Sequence, residues 1–417
     1  MYGFIGFING GVCAPIGFRA AGVHSGVKAN SPDDKLDLAL VLGDKVCTAA
    51  AVFTRNRVKA APVLLSQERL SGSRLRAVIL NSGNANCCAA NDTENAALMA
   101  EYAAAALGAD RNLIAVASTG VIGQELNIGA IRDAIPALTE ALGKSERSSS
   151  DAADAIMTTD TIRKEFAVEF EIGEKVVKIG GIAKGSGMIH PNMGTLLSVI
   201  TTDCAVSPEM LREALGSAVR ESFNRVSIDG DTSTNDSCFI LASGLAGNAE
   251  ITERGADFDA FDNALCSLCA KLAIAIASDG EGEKHLITCV VSEAANERKA
   301  ESIAKSVLSS SLVKTAVFGG DANWGRVLCA MGYSGENFDP KRVDITYRSA
   351  AGEVQVCANG SGVNFDEELA AGILSEHDVE LLISLNEELE PGEYPQCTCW
   401  GCDLSLDYVR INADYRT

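Results

Sequence analysis

The stretch IAKGSGMIHPNMGTLLSVITTD, residues 182–203, leads from a glycine-rich turn to a run of strand-forming apolar residues, with Gly194 and Thr195 at the threshold. As structure alone, such a Gly-Thr pair is a turn entering a strand. As chemistry, it offers a second reading. A threonine hydroxyl is a poor nucleophile unless a base takes its proton, and the residue's own α-amino group can be that base. Inside a chain that nitrogen is an amide. Cutting the bond before Thr195 would free an amine with a reference pKa of about 7.7–8.0 beside its own hydroxyl. Gly194 suits such a cut, because backbone without a Cβ adopts strained geometry and lets the hydroxyl reach the preceding carbonyl. Spacing alone leaves the turn-to-strand reading ahead.

Outward from this stretch, helical and strand-like segments alternate without an internal repeat, which predicts a mixed α/β fold. TENAALMAEYAAAALG offers Asn91 as an N-cap, Glu94 three residues on and a stop at Gly108. Ser207, Pro208 and Glu209 open a second helix with Leu211, Leu215, Val219 and Phe223 recurring every four residues. In a third, Phe261, Leu265, Leu268, Leu272 and Ile276 share one stripe, read as core. Strands are expected at 36–42, 45–53, 75–80, 113–119, 166–172, 238–242, 286–291 and 379–385. Several are nearly continuous apolar runs, as in sheets covered on both faces. The polar stretch GKSERSSSDAAD, 143–154, reads as a linker-like surface segment.

The 417 residues are 47% hydrophobic, enough for one large or two ordinary domains. With 35 Lys plus Arg against 56 Asp plus Glu, the net charge of −21 argues against a nucleic-acid partner. The apolar N-terminus, MYGFIGFINGGVCAPIGF, lacks a basic leader and an A-x-A cleavage pattern. Other apolar runs fall short of the roughly 18 residues of a membrane span, so no membrane partner is expected. Fourteen scattered cysteines favour reduced thiols in a cytoplasmic setting. Cys397, Cys399 and Cys402 in QCTCWGCD lack a second Cys or His pair at the usual spacing, so no metal is expected there.

The remaining motifs are weak. His24, His190, His285 and His377 form no H-E-x-x-H, and no G-x-S-x-G elbow accompanies them. His190, before a proline, reads as a structural hydrogen-bonder. AKGSGM fails the phosphate-cradling pattern. A calcium-loop register from Asp229 puts Thr234 where Gly is needed and Ile240 where Glu is needed, so DGDTSTND reads as a turn that satisfies its own backbone.

Read together, longer words change the balance at Thr195. The 182–203 stretch resembles the self-cleaving segment of the ornithine acetyltransferase family, also called glutamate N-acetyltransferases, of arginine biosynthesis. The likeness continues through GGVCAPIGFRAAGV, AVILNSGNAN at 77–86, ASTGVIGQ at 117–124 and TTDTIRKEF at 158–166. It includes SFNRVSIDGDTSTND at 222–236, GGDANWGRVLCAMGYSG at 319–335 and INADYRT at the end. The resemblance implies a mixed α/β sandwich similar to N-terminal-nucleophile hydrolases in mechanism, with its own connectivity. It also implies autoproteolysis between Gly194 and Thr195. The products would be an α chain, 1–194, and a β chain, 195–417, pairing into an α2β2 heterotetramer.

The family's activity is a ping-pong transfer of acetyl from N-acetylornithine to glutamate through an acetyl-threonine, without a cofactor. Carried over, Thr195 is the nucleophile and its α-amine the base, while Thr119 and Gly120 form the oxyanion hole. Thr158, Lys184, Thr195, Glu281, Asn412 and Thr417 match substrate-contacting positions. Lys184 suits a substrate carboxylate and Glu281 the ammonium end of ornithine; without the family match both would read as solvated turn residues. Two departures stand out. Gly194 replaces the family's common Ala, and Glu283, Lys284 and His285 replace the usual Ala-Thr-Lys, adding charge beside Glu281. Acetyl-CoA as a further donor is not legible in any motif. The alternatives are an aminopeptidase-like hydrolase with the same self-activated nucleophile, and an uncleaved small-molecule binding protein.

Overall fold

The computed structural model describes residues 5–27, 32, 34–190 and 196–414. Strands β1 (Gly6–Ile8), β2 (Phe18–Val23), β3 (Leu38–Phe53) and β4 (Arg74–Asn81) come first. They are followed by β5 (Ile114–Ser118), β6 (Lys164–Ile172), β7 (Lys175–Lys184) and β8 (Leu197–Thr202). Next come β9 (Val226–Ser227), β10 (Ser237–Ala242), β11 (Leu286–Ser292) and β12 (Asp344–Ser349). The last are β13 (Gly352–Ala358), β14 (Ser361–Gly362), β15 (Asp378–Ser384) and β16 (Gln396–Cys402). The helices begin with α1 (Ala61–Arg69), α2 (Asp92–Leu107), α3 (Ile128–Glu140), α4 (Glu146–Ala155) and α5 (Pro208–Glu221). They continue with α6 (Ala256–Ala277), α7 (Glu297–Leu308), α8 (Ser311–Phe318), α9 (Trp324–Gly332), α10 (Glu367–Ile373) and α11 (Leu406–Ala413). The fold is mixed α/β, as expected.

The chain divides into two compact units that interleave along the sequence. The first gathers Met1–Gly185, Pro191–Asn224 and Thr232–Leu272. Its nine-stranded sheet runs β1-β6-β7-β8-β10-β3-β4-β5, with β2 also paired to β3. Along β3, Leu38, Leu40 and Leu42 pack with Met99 and Ala103 of α2 and Ile131 and Ile135 of α3. The intervening Ala39 and Val41 share a second cluster with Ala152 and Ala153 of α4. Two covered faces explain why these strands read as unbroken apolar runs. β7 and β8, which flank the Gly194–Thr195 bond in sequence, pair antiparallel from Ile179↔Thr202 to Lys184↔Leu197.

The second unit gathers Ser186–His190, Arg225–Asp231 and Ala273–Thr417. Its seven-stranded sheet runs β14-β13-β12-β15-β11-β16-β9. Ile287, Cys289 and Val291 of β11 project into a core shared with Ile303 and Val307 of α7, Val317 of α8 and Met331 of α9. Cys397 and Cys399 of β16 belong to the same core, so these thiols pack as small apolar fillers.

Several expectations need correction. The linker-like segment 143–154 is largely helix: Ser145 caps α4 by accepting from Ser148 N–H at 3.1 Å, and Ala152, Ala153 and Ala155 are buried. Glu146 and Arg147 are exposed on the outer face of a short amphipathic helix, while Ser149 is buried with the alanines. The strands expected at 36–42 and 45–53 are one continuous β3, whose register against β4 shifts between Leu42 and Cys47. Asn91 precedes α2 but its side chain makes no capping bond, whereas Gly108 ends the helix at φ +58° as expected. Ser207 does cap α5, accepting from Met210 N–H. α6, contrary to the reading of short apolar runs, is long and apolar enough to cross a membrane by length and composition. Phe261, Leu265, Leu268, Leu272 and Ile276 along it are at most 1% exposed, as in a core helix.

Candidate active-site elements

In the first unit, Thr119 and Gly120 form the turn that follows β5. Thr119 N–H donates to Asn81 O at 3.0 Å. That amide is occupied, so Thr119 would have to serve an oxyanion through its hydroxyl. Gly120 has φ +133°, and a Cβ there would lie 2.3 Å from Gly83 C and 2.4 Å from Asn84 N. Only glycine permits this backbone-on-backbone approach. Amide side chains fasten the surroundings. Asn81 Nδ2 donates to Asn84 O, and Ser118 Oγ to Asn81 Oδ1. Asn235 Nδ2 donates to both Ala85 O and Ser118 O, tying the residues before β10 to the end of β5. DGDTSTND therefore does more than satisfy its own backbone.

Gly120→Ala is expected to lower turnover about 10²-fold or more, the scale of losing one oxyanion donor. Steady-state kinetics on soluble variant, with the melting temperature alongside, measures it; unchanged turnover would remove the turn from the reaction.

Lys184 ends β7, and its register partner Leu197 lies two residues beyond Thr195 in sequence. It is 7% exposed and sits 3.9 Å from Asp160 Oδ2, so the solvated-turn reading fails. Asp160, which the sequence did not single out, organises this corner. Its carboxylate accepts from Lys164 Nζ at 2.7 Å, Gly185 N–H at 2.7 Å and Thr158 N–H at 3.1 Å. Burial alone would push that carboxyl up; the Lys184 and Lys164 charges and the hydrogen bonds outweigh it and hold it at about 2. Thr158 and Lys184 are thus held by one buried carboxylate. A groove running past Thr158 and Asp160 is also lined by Lys35, Arg147, Asp151 and Met157.

In the second unit, Glu281 is also 7% exposed and not a solvated turn residue. Its N–H donates to Ser186 O at 3.0 Å, and its Oε2 accepts from Asn412 Nδ2 at 2.7 Å. The carboxylate lies flat on Gly187: a Cβ at that position would be 2.4 Å from the carboxyl carbon. Asn412 sits on α11, whose N-terminus Ser405 caps by accepting from Asp407 and Tyr408 N–H while its own hydroxyl donates to Gly282 O. The described part of the C-terminal tail is therefore docked on the turn that carries Glu281. Asp229 accepts from Met188 and Ile189 N–H, and Tyr408 OH lies 3.3 Å from its Oδ2.

Glu283, Lys284 and His285 do not crowd Glu281 with loose charge. His285 Nδ1 pairs with Asp403 Oδ2 at 2.7 Å, Lys284 Nζ lies 3.6 Å from Asp407, and Glu283 lies 3.5 Å from His377. His190 Nδ1 pairs with Ser227 Oγ at 2.9 Å, in keeping with a structural role. Burial first, then Lys305, lowers its pKa, favouring the neutral ring. No group of three or more His, Cys, Asp or Glu side chains placed to share a metal ion occurs among the described residues. Gly194, Thr195 and Thr417 lie outside the described residues.

A sequence profile of the ArgJ family matches residues 19–417. The chain is similar to the arginine biosynthesis bifunctional protein ArgJ of Symbiobacterium thermophilum, 49% identical over 99% of this chain and 100% of the relative. It is also similar to the glutamate N-acetyltransferase of Methanocaldococcus jannaschii, 43% identical over 98% and 99% of the two chains. Among solved structures, the Mycobacterium tuberculosis ornithine acetyltransferase complexed with ornithine aligns at 40% identity and TM-score 0.42. That alignment covers 46% of this chain and 100% of the other.

Proposed function

The chain belongs to the ArgJ family, and we propose on that premise that it transfers the acetyl group of N-acetylornithine to glutamate. Self-cleavage between Gly194 and Thr195 first frees the Thr195 amine. That amine takes the hydroxyl proton as the oxygen attacks the acetyl carbonyl. The Thr119 hydroxyl and Gly120 N–H receive the negative charge of the tetrahedral oxygen. Collapse expels ornithine, whose amine takes the proton back, and leaves acetyl on Thr195. The glutamate amine then attacks this ester and regenerates the hydroxyl.

The observation that carries the reading, beyond family membership, is that Lys184 in the first unit and Glu281 in the second are each buried within their own unit, where a solvated loop would leave them exposed. Lys184 is held by Asp160, and Glu281 by Asn412. A compact ammonium suits a substrate carboxylate, and a carboxylate suits the ornithine ammonium. Thr158, Asn412 and Thr417 add polar partners. The reaction needs no cofactor. Pairing of β7 with β8 supports products 1–194 and 195–417 that stay associated after cleavage; their assembly as α2β2 and a place in the cytoplasm are carried into the proposal from the family resemblance alone.

Incubation with N-acetylornithine, with and without glutamate, tests the proposal. Ornithine and N-acetylglutamate are expected in equal amounts, and only a single-turnover burst of ornithine without acceptor. Sustained acetate release without glutamate would overturn acetyl transfer in favour of hydrolysis. The same assay with acetyl-CoA as donor reads whether that thioester is also accepted.

A further inference from the structure

Cys87 and Cys88 lie on the loop whose Gly83–Asn84 peptide meets Gly120, and their sulfurs are 3.6 Å apart. Cys88 is exposed and held at φ +59°, while Cys87 is buried. The loop is pinned on both sides of the pair. Gly123 N–H donates to Cys87 O at 2.9 Å, and Asn86 Nδ2 donates to Asp92 O at 2.9 Å. Both thiols are therefore presented together by backbone that has little freedom to separate them.

A disulfide is the poorer use of this geometry. Adjacent Cα atoms across a trans peptide are about 3.8 Å apart, below the roughly 4.4 Å minimum usual for disulfides. Two sulfurs bound at about 2.3 Å to one centre, by contrast, are themselves roughly 3.3–3.8 Å apart as the angle at that centre goes from about 90°, near that of a pyramidal trivalent centre, to the tetrahedral value. The observed spacing is close to that bite. We propose that Cys87 and Cys88 form a bidentate dithiol site for a soft, thiol-seeking centre, with trivalent arsenicals as the ligand class. With an aryl arsenoxide two As–S bonds form, the As=O oxygen leaves as water with both thiol protons, and no electron is transferred. Burial pushes the Cys87 thiol up to about 11, which handicaps a metal ion that must compete with the proton. Cys87 is itself only 1% exposed, but its neighbour Cys88 opens the pair to solvent, whereas in the other close pair, 3.9 Å apart in the second unit's core, both Cys397 and Cys399 are buried and folded protein offers neither.

Folded protein is treated with phenylarsine oxide, washed with a monothiol, then digested and mapped by mass spectrometry. One arsenical per chain is expected on the peptide carrying both Cys87 and Cys88, stable to 2-mercaptoethanol and removed by a dithiol. Cys88→Ser should lose it, and Cys397→Ser should keep it. No retained arsenical on the wild-type chain, or one retained in Cys88→Ser, would overturn the site.

Discussion

Thr195→Ala is expected to run as a single intact chain on a denaturing gel and to show acetyl transfer lower by roughly 10⁴-fold or more, the scale of losing a covalent nucleophile. In the proposed mechanism the substitution removes one hydroxyl and with it two reactions. Without the hydroxyl nothing attacks the Gly194 carbonyl, so no α-amine is freed. Nor is there an acceptor for the acetyl group. Folding should survive, since β8 begins at Leu197, beyond the substituted position, and its registers with β7 and β10 start there. Thr195→Ser separates the chemistry from the packing, because it keeps an attacking hydroxyl and should still yield two fragments. Two fragments from Thr195→Ala, or turnover within tenfold of the parent chain, would move the nucleophile elsewhere.

What the sequence made legible follows from how local the cause is. Leu211, Leu215 and Val219 repeat on one helical face and are all buried, because periodicity is written in consecutive residues. β7 is masked by Gly180 and Gly181, which interrupt its apolar pattern, and β16 by cysteines whose spacing suggests metal ligands rather than strand residues. α4 was hidden by serines, which favour turns in isolation yet here cap and coat a helix packed through its alanines. At the site the division is sharper. Family words point to Lys184, Glu281 and Asn412, but not to Asp160, and not to which group holds which. Asp160 meets Gly185 across 25 positions, and Asn412 meets Glu281 across 131. No local pattern encodes such contacts. Gly187 needed the fold as well, since its reason for being glycine is the Glu281 carboxylate lying on it.

Asp160→Asn should lower stability by about 3–5 kcal/mol at neutral pH, the cost of removing one partner from a buried ion pair. The Asp160 and Lys164 side chains are fully buried and that of Lys184 is 9% exposed, so water cannot replace the lost charge. An asparagine can still accept from Gly185 N–H, yet leaves two buried ammonium groups facing a neutral amide. Because the Asp160 carboxyl is depressed to about 2 in the folded chain, its contribution is fully present above the unfolded value of about 3.9. It is lost as pH falls through about 2. The difference between parent and variant should therefore be constant from pH 5 to 7 and shrink between about 4 and 2. Urea unfolding across that range measures it, with the parent kept folded by working below its own midpoint. An equal deficit at pH 7 and pH 3 would point to packing rather than charge. In catalysis the same change should fall mainly on KM for the substrate whose carboxylate Lys184 is proposed to bind, because Asp160 fixes that ammonium and has no part in the proposed nucleophile's chemistry.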